Sequence, residues 1–188
     1  MSDKFAKAMT AFFRFIADTF FAKRYGHRAV VLETIAGVPG IVAGVWLHMK
    51  SLRKMQPGMG PKIREMLEEA ENERMHLMIF IDIAKPNAFE RWLVLFAQFI
   101  FIVFYFILFV FFPKTAHRMI HYFEREAVIS YTHYLKLVDD GEIENIPATK
   151  LAKQYYNLKD DATLRDIIIK IRADEEKHAQ VNYRYSLD

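Results

Sequence analysis

The sequence predicts an all-α fold in which about six helices are joined by short connections. Three observations support this prediction. Loop-forming residues divide the chain at Gly26, 56–61, 85–87, Pro113 and 139–147. The runs between these breaks lack the apolar–polar alternation that marks β-strands. The length of 188 residues suits one domain with a single core.

The breaks define six segments of that single domain, residues 1–188. Four segments carry the candidate ligands described below, at 28–55, 62–85, 114–138 and 161–183. The other two are an amphipathic segment, 1–26, and a strongly apolar segment, 87–112. Length and composition alone would allow the second of these to span a bilayer.

The segment 1–26 places aromatic and charged side chains on different faces of a helix. Phe5, Met9, Phe12 and Phe13 fall on one face, and Lys4, Lys7, Arg14 and Asp18 fall largely opposite. This pattern is typical of a helix that lies in a membrane interface, although such a stripe can also pack on a core.

Composition narrows the class of protein. Apolar residues make up 53% of the chain and aromatic residues 15%, which excludes intrinsic disorder. A net charge of +3 fits an anionic membrane surface better than nucleic acid, so no nucleic-acid partner is expected. The chain has no cysteine, which excludes disulfides, iron–sulfur clusters and thiolate zinc sites. Any metal ligands must come from His, Asp, Glu or Tyr.

The pattern Glu-x-x-His occurs twice, as Glu73 with His76 and as Glu175 with His178. Residues three apart share a face of a helix, so each pair directs a carboxylate and an imidazole to one point. Each Glu follows a short polar residue, Asn72 or Asp174, which could orient the histidines from behind. The alternative is that these glutamates are solvated surface acids.

Two more carboxylates complete the pattern. Glu33 lies within an apolar helix, and Glu124 lies early in the fifth helix. Ferritin-like four-helix bundles that bind two iron or manganese ions use a recognisable ligand set. Two of their helices each supply one Glu, and the other two each supply one Glu-x-x-His. Four carboxylates would offset two divalent cations, with Glu73 and Glu175 as the bridging pair. Pairing of Glu33 with Arg28, and His117 or His121 in place of Glu124, are the alternatives.

Two further features accompany these ligands. Tyr131 lies two helical turns beyond Glu124, where it could fill the core or relay one electron beside the metals. Gly40 and Gly44 are spaced to allow close approach of another helix, for example in a dimer.

The motifs resemble the alternative oxidases, a family of membrane-bound di-iron ubiquinol oxidases. The matching stretches are 32–40 (LETIAGVPG), 72–77 (NERMHL), 124–131 (EREAVISY) and 173–178 (ADEEKH). The resemblance implies two iron ions held by Glu33, Glu73, His76, Glu124, Glu175 and His178. It also implies a quinol pocket formed by Arg28, Leu32, Glu33, Ala127 and Ser130. Catalytic roles are implied for Tyr131, Glu124 and Glu33. Tyr155, Asn72 and Asp174 are expected to surround the metal ligands. Tyr156 stands where the family commonly has Trp.

The apolar segment 87–112 is not expected to cross the membrane. Glu73 precedes it and Glu124 follows it, and a single crossing would place these two ligands on opposite sides of the bilayer. We therefore expect a monotopic protein in which this segment and 1–26 both lie along the interface.

The predicted function is that of a non-proton-pumping ubiquinol:oxygen oxidoreductase, which oxidises two quinols and reduces O₂ to two waters. The alternatives are a quinone-modifying di-iron hydroxylase and a non-catalytic, membrane-associated iron-binding or scaffold protein. Expected partners are ubiquinol, O₂, a lipid membrane and a second copy in a homodimer. Residues 1–10 lack the features of a targeting segment, so we expect the bacterial inner membrane, or the mitochondrial inner membrane for a processed form.

Overall fold

The computed structural model describes residues 2–21, 25–55 and 59–188. Within these ranges the chain forms seven helices and no strand, which confirms the all-α prediction. Parts of the predicted segment 1–26 and of the loop 56–61 lie outside the described residues. The helices are α1 Ser2–Phe21, α2 Tyr25–Lys54, α3 Gly60–Ala84, α4 Ala88–Phe111, α5 Pro113–Asp139, α6 Lys150–Tyr156 and α7 Leu164–Leu187.

Four of these helices form a bundle. α2 packs along α3, and α5 packs along α7. α1 and α4 both lie against α2 and α5, so they cover one side of the bundle. The helices that carry the predicted ligands therefore lie inside, and the two predicted interface helices lie together outside them.

Local sequence signals explain where several helices begin. The side chain of Asn87 accepts a hydrogen bond from the Glu90 backbone, and the Glu90 side chain accepts one in return, so α4 begins with a capping box. Asp166 accepts a hydrogen bond of 2.8 Å from the backbone of Thr163, which starts α7 at Leu164. The short helix α6 was not predicted. Its cap is Thr149, whose hydroxyl accepts a 3.1 Å hydrogen bond from the backbone of Ala152.

The core is divided into two apolar layers. One layer contains Ile79, Phe80, Ile167, Ile168 and Ile171, and the other contains Val38, Met66, Phe101, Tyr105, Met119 and Ile120. Along each of α2, α3, α5 and α7, the predicted ligands fall between residues of these two layers. The polar site is therefore sealed by apolar packing at both ends of the bundle.

The outer face of α4 is apolar and exposed. Trp92 and Phe99 are 72% and 67% exposed, while Phe101 and Tyr105 face inward. By length and composition, α2 and α4 could each cross a membrane. However, half of the apolar stretch of α2 is buried in the protein, compared with 22% for α4. α4 thus presents its aromatic surface outward along its length.

The aromatic stripe of α1 is divided between two environments. Phe13 packs against Phe101 and Phe123, with ring centroids 5.7 and 5.5 Å apart. Phe12 and Phe15 are 55% and 69% exposed. The helix therefore contributes to the core on one side, as the second interpretation of the stripe predicts, and presents aromatic rings outward on the other.

Gly40 is the point of close contact between α2 and α3. A Cβ atom at this position would lie 2.4 Å from the backbone oxygen of Met66 and 2.9 Å from Cβ of Ala70. Gly44 similarly faces Leu67, at 2.8 Å. These two glycines therefore serve packing within the chain, which corrects the suggestion that they mark a dimer contact.

Replacement of Gly40 with alanine is expected to destabilise the bundle. The new methyl group would overlap the α3 backbone, which cannot yield as a flexible side chain would. Overpacking of this kind costs about 2 kcal/mol in the free energy of unfolding, or a melting temperature about 5 °C lower for a chain of this size. The control is Gly60→Ala, because a Cβ atom at Gly60 meets no atom of the described residues within 4 Å. Equal melting temperatures for the two variants would contradict the assignment.

Candidate functional site

Six buried acidic and imidazole side chains meet in the middle of the bundle. α2 supplies one, α3 two, α5 one and α7 two: Glu33, Glu73, His76, Glu124, Glu175 and His178. All are at most 5% exposed. They form two groups, in each of which the candidate ligand atoms lie within 4.8 Å of one another.

The two groups share Glu73 and Glu175. The first adds Glu33 and His76, and the second adds Glu124 and His178. This is the geometry expected of two neighbouring cation positions, in which two carboxylates reach both positions and every other ligand reaches one.

The histidines direct Nδ1 into the cluster. Nδ1 of His178 lies 2.6 Å from Oε1 of Glu73. Nδ1 of His76 lies 3.1 Å from Oε1 of Glu175 and 3.4 Å from Oε2 of Glu33. Each imidazole thus faces carboxylates that come from other helices, as a shared metal site requires.

The donor atoms of the cluster are suited to metal ions. Oε2 of Glu33, both carboxylate oxygens of Glu73, Oε1 of Glu175, and Nδ1 of His76 and His178 are buried and make no well-formed hydrogen bond within the described part of the chain. Buried polar atoms without partners are costly, and bound cations would satisfy them. Carboxylate oxygens and imidazole nitrogens are donors that iron and manganese accept.

The pKa values of the clustered glutamates are shifted because several ionisable groups are buried close together. Burial raises the pKa of Glu33 well above its ordinary value, and the charges of Glu175 and Glu73 raise it further. Burial likewise raises the pKa of Glu124, and Glu175 adds to the effect. Burial acts in the same direction on Glu73 and is the largest single influence there, but the facing imidazoles of His178 and His76 together outweigh it and lower the pKa of that carboxyl. Positive charge is needed before all four carboxylates can ionise together.

A second set of polar side chains holds His76 from behind. Oδ2 of Asp174 lies 3.3 Å from Nε2 of His76 and accepts a 3.2 Å hydrogen bond from the amide of Asn72. The same amide donates to the hydroxyl of Tyr155 at 2.7 Å. The three residues predicted to surround the ligands therefore lie in one network.

Tyr156 also belongs to this network. Its hydroxyl lies 2.9 Å from Nε2 of His76 and donates to Asp174 at 2.7 Å. In the sequence, Tyr156 stands out only as a departure from the family pattern. Its contact with His76 joins residues 80 positions apart, and no spacing within the sequence indicates it.

Removal of Asp174 is expected to weaken metal binding without unfolding the protein. Asp174→Ala would hold His76 less firmly, because Nε2 of His76 would lose its carboxylate partner and keep only the Tyr156 hydroxyl. Loss of such an outer partner typically costs about 10–100-fold in metal affinity, which can be measured by titrating metal-free protein with Fe²⁺. The control is Glu176→Ala, two residues away on the same helix and exposed. Equal affinities for the two variants would rule out a positioning role for Asp174.

Tyr131 lies beside the cluster on α5. It is buried and donates a hydrogen bond from its hydroxyl to Oε1 of Glu33. Its ring stacks on Phe80 with centroids 5.8 Å apart. The position two turns beyond Glu124 thus places the phenol in contact with a candidate ligand on a different helix.

A cavity of about 490 Å³ opens beside the cluster on the side covered by α1 and α4. Its wall is mostly apolar, with contributions from Phe13, Phe96 and Phe101. The five residues predicted for a quinol pocket all line it: Arg28, Leu32, Glu33, Ala127 and Ser130. Glu124, Glu175 and Tyr131 also line it, so the cavity and the acidic cluster are in direct contact.

A further polar cluster near the ligands was not predicted. The amide of Asn182 donates to Oε1 of Glu69 at 2.9 Å, and its oxygen lies 2.9 Å from Nδ1 of His117. Burial raises the pKa of Glu69 to about 7 and lowers the pKa of His117 to about 4. His117 faces Asn182 and belongs to neither group of candidate ligand atoms found among the described residues, so it does not take the place of Glu124.

Comparison with known proteins gives a consistent result. The family model of the alternative oxidases matches residues 1–186. A mitochondrial ubiquinol oxidase of Batrachochytrium dendrobatidis is 51% identical over 186 residues, which is 99% of this chain and 58% of that protein. Mitochondrial ubiquinol oxidases of Nicotiana tabacum and Arabidopsis thaliana are 51% and 50% identical over 96% and 97% of this chain, and the matches cover 61% and 55% of their lengths. The chain thus spans little more than half the length of these relatives.

The names of these relatives correct one prediction. All three are described as mitochondrial proteins, as is the ubiquinol oxidase of Mangifera indica, which is 51% identical over 181 residues. The expectation of a bacterial inner membrane is therefore wrong. It relied on the absence of a targeting pattern in residues 1–10, and such an absence does not identify a compartment.

Proposed function

Because the chain belongs to the alternative oxidase family, we propose that it is an oxidoreductase that transfers electrons from ubiquinol to O₂. The observation that carries this proposal is the contact between an acidic cluster able to hold two cations and a largely apolar cavity large enough for a quinone ring. The reaction consumes two quinols and one O₂ and yields two quinones and two waters.

The cofactor we propose is a pair of iron ions. Glu73 and Glu175 would bridge them, Glu33 and His76 would hold one, and Glu124 and His178 would hold the other. When bound, the pair supplies the redox chemistry that accepts electrons from quinol and delivers them to oxygen. The unpartnered donor atoms and the four carboxylates support this assignment.

The cavity residues would bind and orient the quinol. Arg28 and Ser130 offer hydrogen-bond donors to its oxygens, and Leu32 and Ala127 offer apolar contact with the ring. Glu33 lines the cavity and also belongs to the acidic cluster. The quinol would therefore be held beside the proposed iron pair, which would take its electrons. We propose catalytic roles for Tyr131, Glu124 and Glu33. The apolar wall excludes water from these steps.

The membrane arrangement we propose is monotopic. α3 and α5 both carry candidate ligands, and α4 connects them while lying along α2 and α5. The outward aromatic faces of α4 and α1 would enter the interface and let quinol reach the cavity from the lipid. We place the protein in the mitochondrial inner membrane. A chain that does not cross the bilayer offers no path for protons through it, so we expect no proton pumping.

The assembly we propose is a homodimer of single-domain chains, in which residues 1–188 form one unit. Ile41, Val45 and Leu52 on α2 are each more than half exposed. They offer an apolar face to a second copy.

Oxygen uptake by the purified, iron-loaded protein tests the function. With ubiquinol as donor and cyanide present to suppress haem oxidases, we expect uptake at one O₂ for every two quinols oxidised. Formation of hydroxylated quinone would instead indicate a hydroxylase. Absence of both uptake and hydroxylation would indicate a non-catalytic, membrane-associated iron-binding or scaffold protein.

A further inference from the structure

A second polar pair lies at the edge of the cavity, between the first turn of α2 and the later part of α5. The hydroxyl of Tyr25 is hydrogen-bonded to Nδ1 of His133. The Tyr25 ring also packs on the His133 ring, with centroids 5.6 Å apart, and on Tyr134 at 5.2 Å. These contacts hold the phenol in one orientation against α5.

The position of the pair relates it to the proposed quinol pocket. Tyr25 and Arg28 are three residues apart on α2 and both line the cavity. Ser130 and His133 are likewise three residues apart on α5. Residues with this spacing are neighbours on one helix face, so the pair lies about one turn beyond the two polar side chains proposed to bind quinol.

Exposure differs across the pair. Tyr25 is half-buried and faces the cavity, whereas His133 is exposed at the surface. Glu126 and Arg14, which also line the cavity, are paired with each other at 2.6 Å. The Tyr25–His133 hydrogen bond is thus a continuous polar connection from the cavity to solvent.

We propose that Tyr25 and His133 carry a proton between the bound quinol and solvent. This inference rests on the proposed function. Oxidation of a quinol to a quinone removes two electrons and two protons, and the electrons go to oxygen in the proposed reaction. One hydroxyl proton would pass to the Tyr25 oxygen as the Tyr25 proton passes to Nδ1 of His133, and His133 would then release its Nε2 proton to water. The second hydroxyl proton would go with the electrons to the oxygen that becomes water, and solvent would supply the remaining proton that each water needs. Proton exchange with solvent would return His133 to the tautomer with Nε2 protonated.

The residue types suit this transfer. Imidazole accepts a proton on one ring nitrogen and releases one from the other, and it exchanges protons readily near neutral pH. A phenol hydroxyl both donates and accepts a hydrogen bond, so it can pass a proton on without holding charge in an apolar cavity. A purely structural link between α2 and α5 would not need a titratable side chain at the exposed end.

The test uses His133→Ala in the full, iron-loaded chain, with quinol-dependent oxygen uptake as the readout. We expect kcat to fall by about 100-fold, at the lower end of the range for lost proton transfer, with KM changed less than about twofold. Added imidazole can reach this exposed position and is expected to restore most of kcat. Tyr25→Phe should show the same loss without rescue. His48→Ala is the matched control, because His48 is another exposed histidine that does not line the cavity.

The outcomes separate this inference from the proposed function. If the wild-type protein takes up no oxygen with quinol, the proposed function fails. If the wild type is active and His133→Ala matches it, or if imidazole gives no rescue in a His133→Ala protein with normal iron content and circular dichroism, the proton path is wrong and the function stands. His133→Gln, which keeps a polar side chain of similar size, provides the same comparison should the alanine variant fold poorly.

Discussion

Glu73→Ala is expected to abolish iron binding and quinol-dependent oxygen uptake together. Glu73 is fully buried and is one of two side chains that belong to both halves of the cluster. Its loss would therefore remove a ligand from both cation positions. We expect the fall in iron affinity to exceed the roughly 10–100-fold cost of losing an outer partner. Iron content per chain and oxygen uptake measure the two effects.

The matched control is Glu71→Ala on the same helix. Glu71 is exposed and its carboxylate pairs with Arg74 at 2.6 Å. Exposed ion pairs of this kind contribute about 0–1 kcal/mol, so this variant should keep its iron and its activity. A Glu73→Ala protein with two irons per chain and normal uptake would contradict the ligand assignment.

Tyr131→Phe is expected to separate activity from metal binding. Phenylalanine keeps the stacking on Phe80 but removes the hydroxyl that donates to Glu33. Because Tyr131 also lines the cavity, its hydroxyl can act on the quinol, on Glu33 or on electron transfer. We expect oxygen uptake to fall by about tenfold or more, while iron content stays normal.

Tyr105→Phe is the control for this change. Tyr105 is also fully buried, and its hydroxyl makes no hydrogen bond within the described residues. Its loss should leave uptake unchanged. If Tyr131→Phe retained full uptake at normal iron content, the Tyr131 hydroxyl would have no part in the reaction.

Much of the acidic cluster could be predicted because its signals are local. The Glu73–His76 and Glu175–His178 spacings place each pair on one helix face whatever the rest of the fold does. Glu33 was conspicuous because a carboxylate in an apolar helix needs a partner. The bundle followed from the requirement that these side chains meet.

Contacts between distant segments could not be predicted in the same way. Tyr25 and His133 are separated by 108 positions, and neither position is unusual for its own helix. The contact of Gly40 with α3 could not be predicted from the sequence either. Its spacing from Gly44 indicated a close helix contact, but which helix approached depended on the packing of α2 on α3. The division of the α1 side chains between core and surface likewise depends on the contacts of Phe13 with Phe101 of α4 and Phe123 of α5.

Glu33 belongs both to the wall of the cavity and to the acidic cluster. Whatever occupies the cavity therefore touches a group that also senses the charge of the cluster. Under the proposed function, the potency of an inhibitor bound in the cavity would therefore depend on the oxidation level of the irons, and so on whether the enzyme is resting or turning over.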